Sequence, residues 1–65
     1  MNRDTSVAGR RVRLVHTNDQ YTDLEPGAEG TARYVTADGI LAADWDSGST
    51  LMLIDEAGDR WEWLS

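Results

Sequence analysis

The chain has 65 residues, with twelve carboxylates against six arginines and a net charge of −6. That length allows one small domain, and about 60% of its unfolded surface is buried on folding, so the core is thin. The absence of cysteine excludes disulfides and thiolate metal sites, and an acidic body disfavours general nucleic-acid binding.

Residues 1–9, "MNRDTSVAG", carry no apolar period and read as a flexible N-terminal segment ahead of a domain over 10–65. A first strand is predicted over Arg11 to His16, with Val12 and Leu14 on one face and Arg11 and Arg13 on the other. The stretch "TNDQYTDLEPGAE" has no period and many turn formers, and makes a long loop closed by a type II turn at Pro26-Gly27. A second strand follows over Glu29 to Thr36. Gly30 inside it signals a bulge or the close approach of another backbone. Asp38-Gly39 reads as a two-residue hairpin turn. The third strand, Ile40 to Asp46, puts Leu41, Ala43 and Trp45 on one face. Ser47-Gly48 turns the chain into a fourth strand, Thr50 to Ile54, and a loop leads to a fifth, Arg60 to Leu64, where Trp61 and Trp63 share a face. A short helix over residues 49–57, capped by Ser49 and ended by Gly58, competes with the fourth strand. The hairpin signal and the neighbouring strands favour the strand.

Five short strands with one long loop after the first imply an all-β fold, a five-stranded SH3-like barrel whose closure removes exposed edges. Three tryptophans and no phenylalanine supply a compact aromatic core. The longest apolar run, Leu51 to Ile54, is far short of a membrane span. With no cysteine and no apolar leader, the expected location is the cytoplasm, away from any membrane.

The segments "GRRVRLVHTNDQYTDLEPGAEGTARYV", "DWDSGSTLMLI" and "DRWEWL" resemble a bacterial and phage family catalogued as domain of unknown function 4314. The likeness runs from about Gly9 to Leu64. It rests on Gly9 to Leu14, Tyr21 to Leu24, Pro26 to Thr31, Trp45 to Ser49 and Asp59 to Glu62. It implies a small β-barrel domain and no assigned activity, so it transfers no functional residue. Ala32 and Ala43 depart from the larger β-branched residues expected there and thin the core, for which Trp63 would compensate in volume. Pro-Gly-x-x-Gly-Thr also resembles the glycine turn of small KOW barrels from ribosomal and transcription proteins.

Catalytic chemistry finds little to work with. His16 is the one histidine, there is no cysteine or lysine, and the serines lie in turns or at the ends. His16 with Asp19 could form an oriented base, but a strand-end histidine bonded to the loop accounts for it as well. Asp44 and Asp46 share a strand face opposite Trp45, and their spacing lacks the regular positions of a calcium loop. The expectation is a protein that is not an enzyme and needs no metal or cofactor. Trp45, in register with Leu41 and Ala43, reads as core.

Binding is the better-supported function class. Tyr21 and Leu24 are large apolar groups in a loop that also carries Asp19, Asp23 and Glu25. They either border a groove for an extended peptide, as the corresponding loop of SH3 domains does, or fold back over the end of the barrel. The leading expectation is a protein or peptide partner, basic in character, bound through Tyr21, Asp23, Glu25 and Trp61 by a monomer or weak homodimer. Residues 1–16 hold four arginines against one aspartate, a net of +3, and residues 17–65 hold two against eleven carboxylates, a net of −9. The alternatives follow from that split. Nucleic acid could bind the arginine strand through Arg10, Arg11 and Arg13, or the acidic body could mimic nucleic acid on a host protein.

Overall fold

The structure, a computed structural model, describes residues 3–20 and 22–64. The described residues form six strands: β1 (Arg3–Asp4), β2 (Arg11–His16), β3 (Glu29–Thr36), β4 (Ile40–Trp45), β5 (Met52–Ile54) and β6 (Arg60–Trp63). Short 3₁₀ turns cover Thr5–Val7 and Asp55–Ala57. All pairing is antiparallel, in the order β5-β4-β3-β2-β6, with β1 beside the far end of β3. The protein is all-β, and the order is consistent with an SH3-like barrel.

Period-two alternation places the core as expected. Val12 and Leu14 of β2, Leu41 and Ala43 of β4, Leu53 of β5 and Trp45 pack into one buried cluster, with Trp61 and Trp63 half-buried against it. Trp45 is 3% exposed, and its indole N–H donates to the Leu51 carbonyl at 2.9 Å, so the ring is buried with its polar atom satisfied. Ala32 and Ala43 face each other across the β3–β4 ladder. Gly30, two residues before Ala32, lies opposite Trp45 in the same ladder. A Cβ on Gly30 would sit 2.8 Å from the Asp44 carbonyl oxygen and 2.9 Å from the Trp45 Cα. The glycine is there because another backbone is too near for a side chain.

Four expectations are corrected. Residues 3–8 take part in the fold: Arg3 and Asp4 pair with Thr36 and Val35, and Val7 is buried in the core cluster. A sixth strand is thus added to the expected five. Periodicity could not reveal it, because a two-residue strand has no period. Second, the β3–β4 turn spans residues 37–39 instead of two residues. Among the described residues only glycines have a positive φ, so Asp38 does not take the type I′ conformation, and Gly39 alone, at φ +84°, supplies the reversal. Third, the strands expected to reach Asp46 and begin at Thr50 are shorter, with β4 ending at Trp45 and β5 starting at Met52. The competing helix signal survives as the single 3₁₀ turn at Asp55–Ala57, ended by Gly58 at φ +96°.

The fourth correction concerns closure. No ladder joins β5 to β6, so the sheet is not sealed into a barrel by strand pairing. Asp59 bridges the two instead. Its carboxylate accepts the Ile54 N–H at 2.9 Å, and its own N–H donates to the Ile54 carbonyl at 3.2 Å.

Candidate functional site

The long loop between β2 and β3 is anchored at both ends. At its start, the Thr17 hydroxyl and the Asn18 N–H donate to Asp59 Oδ1 at 3.0 and 2.9 Å, and the Asn18 side-chain amide donates to the Ala57 carbonyl. At its end, the Ala28 N–H closes a turn onto the Glu25 carbonyl at 3.0 Å with Gly27 at φ +99°. This is the positive φ that Pro26-Gly27 promises. Leu24 is buried in the core cluster, so for this residue the covering alternative holds. Asp23 and Glu25, on either side of it, are exposed and make no ion pair among the described residues. Tyr21 lies outside the described residues.

Asp59 was missed as an organising residue at the sequence level. It is 5% exposed, and each carboxylate oxygen is hydrogen-bonded. Burial pushes its pKa up, but the Ile54 and Asn18 N–H groups, the Thr17 hydroxyl and the charge of His16 outweigh that and hold it below the ordinary carboxylate value. Its partners lie 5 residues before it and 41 and 42 residues before it, which no local pattern can report. Asp59 and Trp61 also line a depression of 190 Å³ with Asp55 and Arg60. Arg60 is tied to Asp55 at 2.6 Å. The residue that pins the start of the acidic loop therefore also lines the Trp61 depression.

The arginines of the nucleic-acid alternative are engaged within the chain. Arg11 forks onto Asp46 with contacts of 3.0 and 2.6 Å, reaches the Thr31 hydroxyl at 3.0 Å, and lies 3.6 Å from Glu29. The Arg11 bond holds the Asp46 carboxyl below its usual range. Arg13 binds Glu62 through Nε at 2.8 Å and through its terminal nitrogen. The Arg10 guanidinium lies 4.4 Å from the centroid of the Trp63 ring. Of the two aspartates that flank Trp45, Asp46 is paired with Arg11. His16 Nε2 is 2.9 Å from Asn18 Oδ1. Among the described residues, no group of three or more histidines and carboxylates is placed to hold a metal ion. No described helix is long and apolar enough to cross a membrane.

Fold and surface together define a small antiparallel β domain whose acidic loop is tied at its start to Asp59, two residues before the half-buried Trp61. The chain belongs to the family described as Domain of unknown function (DUF4314), whose model matches residues 3–60. The match begins at Arg3, so it takes in the N-terminal strand and Val7. It ends before Trp61, whereas the motif reading ran from Gly9 to Leu64. Comparison with curated proteins and with solved structures gives no match.

Proposed function

We propose that this chain is a non-enzymatic interaction module that binds a protein or peptide partner through the acidic loop after β2 and the adjoining Trp61. The observation that carries the reading is Trp61 itself. Its indole is half-buried and lines an open depression with Asp55, Asp59 and Arg60. A tryptophan needed only for packing gains most when sealed; one left at a rim offers a partner a large rigid apolar anchor. Asp23 and Glu25 stand exposed on the loop that Asp59 ties to that depression. With a net charge of −6, the chain attracts arginine or lysine on a partner, which speeds encounter more than it deepens affinity. The engagement of Arg10, Arg11 and Arg13 weighs against phosphate as the ligand. The setting that goes with this reading is the cytoplasm of a bacterium or its phage.

The test is affinity capture from native host lysate, with and without nuclease, comparing wild type with Tyr21→Ala and with a double Asp23→Asn, Glu25→Gln variant. A protein retained by wild type, resistant to nuclease and lost with both variants at unchanged melting temperature supports the proposal. Capture abolished by nuclease moves the assignment to nucleic acid. Capture that survives both variants removes the loop from the site.

A further inference from the structure

The hydrogen-bond parity of β2 shows which way the backbone of β6 faces. Ala32 N–H donates to the Arg10 carbonyl at 2.8 Å and Leu14 N–H to the Ala28 carbonyl at 2.8 Å, so even-numbered residues of β2 bond toward β3. Leu64 N–H donates to the Arg11 carbonyl at 2.9 Å, so odd-numbered ones bond toward β6. With the register Val12–Trp63, Arg13–Glu62 and Leu14–Trp61, the Arg13–Glu62 pair is hydrogen-bonded and the two tryptophan pairs are not. The N–H and C=O of Trp61 and Trp63 therefore point away from β2, to the side on which no described strand pairs with β6. At the other end of the sheet the same parity applies. Asp55 N–H donates to the Gly39 carbonyl at 3.0 Å, which turns the backbone groups of Ile54 outward. There, however, Asp59 satisfies both of them. One seam edge is capped at Ile54, and the other is without a ladder partner at Trp61 and Trp63.

We infer that the unpaired edge of β6 receives an extended segment of a partner protein as an added strand, one that alternates apolar residues with arginine or lysine. This rests on the partner-binding reading above and specifies its mode. Main-chain bonds to Trp61 and Trp63 give the affinity, and alternate side chains give the specificity. The apolar set lies beside the two half-buried indoles, and the other set lies on the outer face with Glu62. Charge selects the occupant. A second copy brings another −6 and is repelled, whereas a basic strand is drawn by the net negative charge of the chain. The chain already shows the relevant side-chain chemistry in Arg10 over Trp63.

The probe is a short synthetic peptide alternating valine and arginine, compared with the same peptide N-methylated on alternate residues. Methylation removes one edge of donors and leaves the charge intact. Amide hydrogen exchange is followed by NMR. The expected result is rapid exchange at Trp61 and Trp63 beside slow exchange at Glu62 in the protein alone, slowing by about tenfold or more with the unmethylated peptide. Methylation weakens binding by about tenfold, the equivalent of one lost hydrogen bond. Trp61 and Trp63 amides as protected as that of Glu62 without peptide overturn the inference, as does absence of binding at about 1 mM. Binding that ignores methylation but requires Asp23 and Glu25 also overturns strand addition, while leaving the partner-binding reading intact.

Discussion

At the residue scale, Asp59 is a buried carboxylate that links segments far apart in the chain. It joins the end of β5, the start of β6 and the first turn of the acidic loop through three accepted hydrogen bonds. Asparagine keeps the shape but replaces one acceptor oxygen by a donor, leaving a buried N–H or hydroxyl without a partner. Asp59→Asn is expected to cost about 2 kcal/mol, or roughly 10 °C in Tm for a domain of this size. The sign of the pH dependence follows from the depressed carboxyl. Its stabilisation is complete above the ordinary value of 3.8 and is lost as pH falls through the lower folded-state value. Thermal melts of both proteins between pH 7 and about 2.5 should show the gap closing below about pH 4. A gap constant with pH would mean that the neutral acid holds the loop as well as the carboxylate does.

At the scale of elements, the fold was legible in the sequence wherever the signal is local. The alternation in "RVRLVH", the Pro26-Gly27 turn and the close approach at Gly30 depend on neighbours in the chain or on a single residue type, and all three are realised. What depends on remote partners was not legible. The arginine face of β2 was read correctly as the face opposite Val12 and Leu14, but the placement of Asp46 and Glu62 against it, 35 and 49 residues on, was not. The candidate site divides in the same way. Leu24 and Trp61 could be recognised as large apolar groups in polar surroundings, yet only the tertiary structure decides that Leu24 is buried and Trp61 half-open. The N-terminal strand yields the most direct test. Val7 is 8% exposed within the core cluster, so Val7→Ala removes about two buried methylene equivalents, or about 1.5 kcal/mol. Denaturant unfolding should show that loss with an unchanged m-value. No change in midpoint would mean that residues 3–9 add nothing to the fold.

At the scale of the whole molecule, charge opposes folding and favours encounter. Six net negative charges sit on a body of 28 × 22 × 17 Å, so carboxylates across its surface lie within a few Debye lengths of one another. The ion pairs that could offset this, Arg11–Asp46, Arg13–Glu62 and Arg60–Asp55, have side chains 36–59% exposed, where such pairs contribute little and are themselves screened. Self-repulsion should therefore dominate the response to salt. Sodium chloride suits the test because, unlike sulfate, it is not a strongly excluded salt that stabilises whatever the charge. Raising it to about 0.5 M shortens the Debye length to about 4 Å, and Tm at pH 7 should rise by a few degrees. Near the sequence pI of 4.4 the repulsion is gone and the rise should vanish. A basic partner feels the same field with opposite sign, so its association rate should fall over the salt range in which the domain becomes more stable. A Tm that falls with salt at pH 7 would show that the surface pairs, and not the net charge, govern the electrostatic stability of the domain.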